Sequence, residues 1–427
     1  MSEPGPAPGD GGRRPAVRIP ALASPTYRRF LAGAFIGNIG AFMGGTAQGW
    51  LVVELTDSPA LLGLTGAASM APMLVLSLAA GVVADRVDRR RLLVAAQLAS
   101  AALSAMLAFL VTAGLVRFEH VLVLAVLSGS VTAIAIPSFQ AIVSAIVGRD
   151  LIGSAVALNS AQYNLARIVA PFAAGVAIAL GGLAFGFWAH AAAAAAVALI
   201  LASLPLAPRR ELAGVRAALW SDLLDGLRFV AGDRLVALLV LLAAVPALFV
   251  LNYLVFLPLY ARDILGIGAP GLGLLTGAIG VGALVAAVWL AVARPAGGGG
   301  RLVVGGLAIV AAAVVVFATS RAVPLSLAAL VVVGAFQVAY FSTTNTLIQV
   351  LVPGRLRGRV ISLYTLTSLG VIPIGNLGAG MLAERFGVEM TLAGGGIAAL
   401  AIVALVVLAE PRIVGLHAAA IAAGRRH

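Results

Sequence analysis

Long apolar runs alternate with short polar segments over most of the 427-residue chain. A helix needs about 20 apolar residues to cross the hydrocarbon core of a bilayer. Twelve runs reach that length, at 30–53, 60–84, 92–116, 119–147, 153–181, 183–206, 235–260, 271–293, 301–319, 322–350, 359–383 and 388–409. The pattern predicts an all-α membrane protein with twelve transmembrane helices, in which Gly181 and Gly182 form the turn between the fifth and sixth helices.

The longest internal polar segment divides the twelve runs into two sets of six. We predict the following five parts: a disordered cytoplasmic tail at 1–27, an N-terminal six-helix half at 28–206, a cytoplasmic linker at 207–234, a C-terminal six-helix half at 235–409 and a cytoplasmic tail at 410–427. The motif Leu-Thr-Gly-Ala at 64–67 recurs at 275–278, near the start of the second and the eighth run. Two halves related by duplication are typical of secondary transporters.

The linker contains the stretch "AALWSDLLDGLRFV", which has helical periodicity. Its apolar positions share one face and are Trp220, Leu223, Leu224 and Leu227. Asp222, Asp225 and Arg228 fall off that face. This pattern is typical of an amphipathic helix that lies on a membrane surface, and a short soluble linker helix fits it equally well.

Composition agrees with a membrane protein. The mean hydropathy is +1.09 and there is no Cys, which excludes disulfides and thiolate metal sites. The four His show no metal-ligand spacing. The net charge of +12 comes from 28 basic residues, all of them Arg. Because they lie in short gaps between apolar runs, they favour a role in membrane topology over nucleic-acid binding.

The distribution of Arg predicts the orientation of the chain. Counting alternate gaps, 23 Arg fall on the side of the two termini, four fall on the opposite side, and Arg167 lies inside a span. Cytoplasmic loops carry the excess of positive charge in membrane proteins. We therefore predict that the N- and C-termini are both cytoplasmic.

The most charged segment of the first half is "GVVADRVDRRRLL", residues 81–93. Gly81 lets another helix pack close to the end of the second span. Asp85 can hold the N-terminus of the eleventh span, or Arg357 or Arg359 near that end. We interpret the segment as a two-state clamp that forms when the cytoplasmic side is shut. The alternative is a solvated charge cluster that only fixes topology.

Gly81, Asp85, Arg86, Arg89 and Arg90 resemble the loop 2–3 motif of the major facilitator superfamily. Stretches such as "AQGWLVVELTDSPALLGLTG" and "RGRVISLYTLTSLGVIPIGNLGAGMLAERFG" resemble a bacterial branch whose members export siderophores, macrolides and other drugs. The resemblance covers most of the chain. It implies the superfamily's fold, alternating access, export driven by proton antiport, and the same clamp role for the motif.

Three positions depart from the patterns of these relatives. Asp88 replaces the second Gly of the motif and adds a countercharge to the Arg cluster. Phe139 stands where relatives often carry Arg. "APFAAG" at 170–175 resembles the antiporter motif of the fifth span through Pro171 and Gly175, but has Ala at two of its positions.

Arg167 is the one charge deep inside a span, and intramembrane charge usually marks function. It shares a helical stripe with Asn164. It can bind an anionic substrate group, it can be a structural Arg capped by backbone carbonyls, or it can join the first and fifth spans through Asn38. Further cavity candidates are Gln48 and Gln140 in the first half and Asn252, Tyr253, Gln337, Tyr340 and Thr344 in the second. Sparse polar groups on apolar walls suit an amphipathic ligand, although each can instead form an interhelical hydrogen bond.

Proton relays in membranes use Asp, Glu or His, and the deep spans hold no acidic residue. Acidic residues lie at predicted outer ends (Glu54, Asp57, Asp263 and Glu384), and we interpret the lone His190 as a packed residue. Coupling therefore uses rim groups such as Asp263, uses Asp85, or is absent.

We predict an exporter of hydrophobic or amphipathic small molecules in the bacterial inner membrane. The sequence has no nucleotide-binding P-loop and no catalytic set, so we expect no enzyme activity, no cofactor and no bound metal. The expected partners are the small-molecule substrate, membrane lipid and the proton. We expect the chain to be monomeric. The alternatives are a metabolite importer or facilitator and a membrane sensor or scaffold that does not transport.

Overall fold

The computed structural model describes residues 20–205, 219–293 and 299–416, and every regular element in these ranges is a helix. The first half contains α1 (Pro25–Thr56), α2 (Pro59–Arg86), α3 (Arg89–Thr112), α4 (Phe118–Val147), α5 (Ile152–Gly181) and α6 (Leu183–Ser203). The linker helix is α7 (Leu219–Gly232). The second half contains α8 (Arg234–Val245), α9 (Tyr253–Leu259), α10 (Gly268–Ala293), α11 (Gly299–Thr319), α12 (Val323–Leu351), α13 (Gly354–Leu369), α14 (Ile372–Phe386) and α15 (Val388–Ala409).

Twelve segments of the described chain are long and apolar enough to cross a membrane, which confirms the predicted all-α fold of twelve transmembrane helices. The turn between α5 and α6 lies at the predicted glycine pair. Gly182 has a φ of 76°, a left-handed conformation that Gly adopts without the steric cost of a Cβ.

Two spans are broken, which the apolar runs did not predict. The seventh span comprises α8, a π-turn at Pro246–Val250, α9 and a second π-turn at Tyr260–Ile264. Pro246 has no N–H, so it cannot bond the carbonyl of Leu242 one turn earlier. That carbonyl instead accepts the Tyr340 hydroxyl of α12 at 2.7 Å. The eleventh span is similarly divided into α13 and α14.

Ordered turns lie within both predicted tails, next to the bundle. A 3₁₀ turn at Pro20–Ala23 precedes α1, and Ser24 caps α1 by accepting the N–H of Tyr27 at 3.2 Å. The Tyr27 hydroxyl donates to the carbonyl of Ala155 at 2.7 Å. At the other end of the chain, the buried side chain of Ile413 belongs to a 3₁₀ turn that packs on α11. The prediction of disorder is therefore wrong for 20–27, and 411–415 is an ordered turn.

The linker helix α7 packs against α13. Asp225 accepts from Nη1 of Arg359 at 2.7 Å, and a Cβ on Gly226 would lie 3.3 Å from the Arg359 carbonyl oxygen. Leu224 and Leu227 remain exposed. The predicted apolar residues Trp220 and Leu223, together with Asp222, have side chains outside the described part of the structure.

The bundle has two ends, which we call the terminal face and the distal face. The terminal face holds the start of α1 and the end of α15; the distal face holds the turn between α1 and α2. The two halves meet chiefly where α2 packs on α14 and α5 packs on α10. The close contacts described for these two helix pairs lie between the distal face and the middle of the bundle.

Candidate functional site

A cavity of about 850 Å³ lies inside the N-terminal half and is lined by all six of its helices. Three of the predicted polar residues, Asn38, Gln48 and Asn164, lie on its wall. Gln97 and Asn159, which we did not predict, lie there as well. All five side chains are uncharged amides, which can donate and accept hydrogen bonds.

Aromatic side chains form much of the remaining wall. Tyr163 and Phe139 face the cavity, and the rings of Phe139 and Phe30 have centroids 5.2 Å apart. Phe139 and Phe30 therefore form an aromatic, apolar part of the wall. Apolar and aromatic walls with a few uncharged polar groups are typical of sites for small organic ligands.

An amide chain connects α1 to α5 beside the cavity. Nδ2 of Asn38 donates to Oε1 of Gln162 at 3.2 Å, and Nε2 of Gln162 donates to Oδ1 of Asn159 at 2.9 Å. We considered Arg167 as the residue that joins the fifth span to Asn38 of the first span. Gln162 makes that connection instead. Hydrogen bonds of this kind fix the orientation of the amides that ligands meet.

A second group of predicted residues meets near the middle of the bundle, between the halves. The Tyr253 hydroxyl of α9 donates to Oε1 of Gln337 in α12 at 3.3 Å. Arg167 of α5 is half-buried and lies close enough to Tyr253 to act electrostatically on its hydroxyl. A cation of the N-terminal half therefore lies near Tyr253 of the C-terminal half.

Other predicted residues are buried in the C-terminal half. Nδ2 of Asn252 donates to the carbonyl of Leu248 at 2.8 Å, and the Thr344 hydroxyl donates to the carbonyl of Tyr340 at 2.8 Å. In this conformation these groups take part in the packing of the second half. The side chain of Gln140 lies outside the described residues, and the ligand roles of this set stay predictions.

The antiporter-like segment lies on the seam between the halves. A Cβ on Gly175 would lie 2.5 Å from the carbonyl oxygen of Ala269 at the start of α10, and one on Gly273 would lie 2.7 Å from the carbonyl oxygen of Pro171. A side chain at either glycine would push α5 and α10 apart. Pro171 and Gly175 therefore set how closely the two halves approach.

At the distal face, Arg262 joins the two halves. Its Nη2 lies 2.5 Å from a carboxylate oxygen of Asp57, and its Nη1 donates to the carbonyl of Val53 at 2.9 Å. Nε of Arg262 also pairs with Asp263 at 2.6 Å. A cation at the carboxyl end of α1 is favoured both by the free carbonyls and by the helix dipole.

Glu384 of α14 makes a second connection at the distal face. Its carboxylate accepts from the Ser58 hydroxyl at 2.8 Å and from the Ala60 N–H at 3.1 Å, which places an anion at the N-terminus of α2. We call Arg262, Asp57, Glu384 and Ser58 the distal latch. Sequence reasoning noticed the acidic residues as rim groups and missed their partners, which are up to 326 positions away.

The predicted clamp lies at the terminal face. Gly81, Asp85 and Arg86 belong to the end of α2, whose side chains lie outside the described residues. Arg89 and Arg90 are half-buried in the first turn of α3, Arg357 is exposed, and Arg359 pairs with Asp225. Asp88 caps α3 by accepting the N–H of Arg91 at 2.8 Å. The Asp that replaces the second Gly of the motif therefore stabilises the start of this helix. The clamp itself stays a prediction.

Two six-helix halves with a central seam, an internal cavity and polar latches define a membrane transporter of the major facilitator fold. Solved structures agree: the D-xylose–proton symporter has a TM-score of 0.71 at 16% identity, covering 90% of this chain and 97% of that one. A bacterial homolog of the human lysosomal transporter Spinster has a TM-score of 0.67 at 15% identity, covering 93% and 96%.

Residues 18–423 match the family described as transmembrane secretion effector, MFS_3, and the chain belongs to that family. It is 24% identical over 409 residues to the enterobactin exporter EntS of Shigella boydii serotype 4 (strain Sb227), covering 91% of this chain and 93% of the relative. It is 27% identical over 154 residues to the staphyloferrin A transporter of Staphylococcus aureus (strain NCTC 8325 / PS 47), covering 35% and 38%. The predicted superfamily and its likeness to siderophore exporters are thus confirmed.

Proposed function

We propose that this transporter exports hydrophobic or amphipathic small molecules across the bacterial inner membrane by alternating access, in exchange for protons. The termini and the terminal face are cytoplasmic in this proposal. The observation that carries it is the 850 Å³ cavity in the N-terminal half, with uncharged amides and aromatic rings on its walls. The similarity to the enterobactin exporter supports export as the direction.

The chemistry of the cavity favours amphipathic ligands. A sugar would need hydrogen bonds around its whole surface, and an anionic metabolite would need a cation on the wall. The described wall instead combines amide groups, and hydroxyl groups of which several already donate to backbone carbonyls, with aromatic and aliphatic side chains. A bulky ligand can bury its apolar surface on those side chains and use the amides for orientation.

In the proposed cycle, we assign the contacts of the distal latch to the cytoplasm-open state. The distal latch holds α1 to the seventh span and α2 to α14. Export then requires the latch to open while the clamp at the terminal face closes. Asp85, Arg357 and Arg359 are the residues we propose for that closure.

The first experiment uses inside-out vesicles that contain the protein and a panel of lipophilic dyes and drugs. We expect accumulation that depends on an imposed pH gradient and is abolished by a protonophore. Asp85→Asn should reduce accumulation by about 5- to 150-fold at equal expression, because a clamp worth about 1–3 kcal/mol shifts the two states by that factor.

The control variant is Asp88→Asn, which removes one negative charge from the same loop. Asn retains the side-chain oxygen that caps α3, so this variant should transport like the wild type. Equal loss in both variants would show that only the charge of the loop matters and would contradict the clamp. Uptake in right-side-out vesicles would favour the importer, and no transport of the panel in either orientation would favour the sensor.

A further inference from the structure

His190 of α6 lies on the wall of the cavity of the N-terminal half. Its imidazole rests on α1, where two glycines provide the space. A Cβ on Gly44 would lie 2.5 Å from Nδ1 of His190, and one on Gly40 would lie 3.5 Å from Cδ2. The ring is therefore confined against a helix backbone on one side and faces the cavity with its remaining edge.

The surroundings of His190 contain little charge. Helices α1, α3 and α5 pack against α6. The titratable or charged groups described on them near this region are Tyr163 on the cavity wall, Glu54, which accepts from Nε1 of Trp50 at 2.6 Å, and Arg167, which lies off the wall. No hydrogen bond within the described part of the chain holds the ring of His190. The imidazole is thus free to exchange a proton with whatever fills the cavity.

We infer that His190 is the proton-binding group of this transporter and that the cavity ligand and the proton compete for the same site. This inference rests on the proposed function. An imidazole is the side chain that changes charge near neutral pH, and an ionisable group inside a membrane protein is expensive to keep without a functional reason.

The exchange is a simple proton transfer. With the cavity open to the distal side, a ring nitrogen lone pair takes a proton from water as the ligand leaves. With the cavity open to the terminal side, the imidazolium returns that proton to water. The uncharged ring and its apolar surroundings then accept the amphipathic ligand, so one proton moves inward for each ligand molecule that moves outward.

The test compares His190→Gln with His120→Gln, a histidine at the start of α4 whose Nδ1 accepts from the N–H of Arg117 at 3.2 Å. A dye that the wild type transports is followed in two assays: accumulation driven by a pH gradient, and exchange of internal for external dye without a gradient. We expect His190→Gln to lose about 5- to 150-fold of the driven accumulation and to retain exchange. His120→Gln should retain both.

A second pair of variants tests the position of the ring. Gly44→Ala must displace the imidazole, whereas Gly153→Ala lies in the first turn of α5, outside the cavity lining, with no atom within 4 Å of the added Cβ. We expect the first to weaken driven accumulation and the second to behave like the wild type. Driven accumulation that persists in His190→Gln would overturn the inference, and so would equal loss of driven accumulation and exchange, which would assign His190 a structural role.

A measurement without ligand separates this inference from the proposed function. The protein has four His, so nuclear magnetic resonance of histidine-labelled protein in nanodiscs gives few signals, and His190→Gln identifies one of them. We expect the signals of the His190 ring to change reversibly as the pH is lowered, because an imidazole can bind a second proton. A ring that does not titrate would overturn the inference even if export is found; absence of export with a titrating ring would instead count against the proposed function.

Discussion

The two halves of this transporter share one topology and differ in what fills their interiors. The C-terminal half encloses most of the main apolar core, in which Tyr260 and Phe317 are fully buried with ring centroids 4.4 Å apart. The N-terminal half encloses the cavity. In an 18-residue apolar stretch of the span Arg234–Ile264, 61% of the residues are buried, against 17% in a stretch of equal length in Arg89–Thr112.

This difference indicates a division of labour between duplicated units. A packed interior transmits force with little deformation, so the C-terminal half can act as the rigid body of the cycle. The N-terminal half has the space and the uncharged polar groups for a ligand. Its interior also holds His190, the titratable group for which we propose proton coupling.

The largest expected effect comes from truncating one aromatic ring in each half. Phe317→Ala should lower the free energy of unfolding by about 3–5 kcal/mol, because the fully buried ring leaves a cavity. Phe139→Ala should cost about 1–2 kcal/mol, because its ring already borders open space. Thermal denaturation in detergent, followed by intrinsic fluorescence, measures both. Equal losses would remove the contrast between the halves.

A smaller effect is expected at the distal latch. Arg262→Gln should shift the population toward the state open at the distal face by about 5- to 150-fold. The protein lacks Cys, so spin labels on Leu115→Cys and Phe386→Cys, both exposed near that face, report the separation of the halves. We expect a longer distance component in the Arg262→Gln background.

The matched control for the latch is Arg321→Gln. Arg321 pairs with Glu389 at 3.2 Å within the C-terminal half and is 78% exposed, so its loss should leave the distance distribution unchanged. If both variants lengthen the distance, the change is a general effect of surface charge at the distal face and is not specific to the latch.

The smallest effect is expected for the contact between the linker helix and α13. Asp225→Asn removes the ion pair with Arg359, whose side chain is about one-third exposed. Exposed ion pairs contribute about 0–1 kcal/mol. We expect a melting temperature within a few degrees of the wild type and a difference that shrinks in high salt. A large loss would mean that the linker is part of the packed C-terminal half.

The twelve spans could be predicted because a membrane span needs only length and hydropathy, and both are local. The break at Pro246 could not be placed from the apolar run alone. Its stability depends on the Tyr340 hydroxyl, which donates to the Leu242 carbonyl in place of the N–H that Pro246 lacks. The N-cap role of Asp88 was available in the sequence, because Asp before a helix is a preferred cap; we interpreted it as a countercharge.

The candidate site was less predictable than the fold. Asn38, Gln48 and Asn164 were recognised as polar residues in apolar runs, and they do line the cavity. The same reasoning selected Thr344 and Asn252, which are buried in the C-terminal half. Sequence periodicity gives the face of a helix, whereas the volume between six helices depends on side chains far apart in the chain, such as His190 against Gly44.

The proposed binding cavity of the N-terminal half is tested most directly by locating the ligand. Gln48→Cys in the N-terminal cavity and Gln337→Cys between the halves are labelled in inside-out vesicles with a membrane-permeant maleimide, with and without a dye that the protein transports. We expect the dye to protect Gln48→Cys and to leave the labelling of Gln337→Cys nearly unchanged. Protection of Gln337→Cys alone would place the ligand between the halves and contradict a binding cavity inside the N-terminal half.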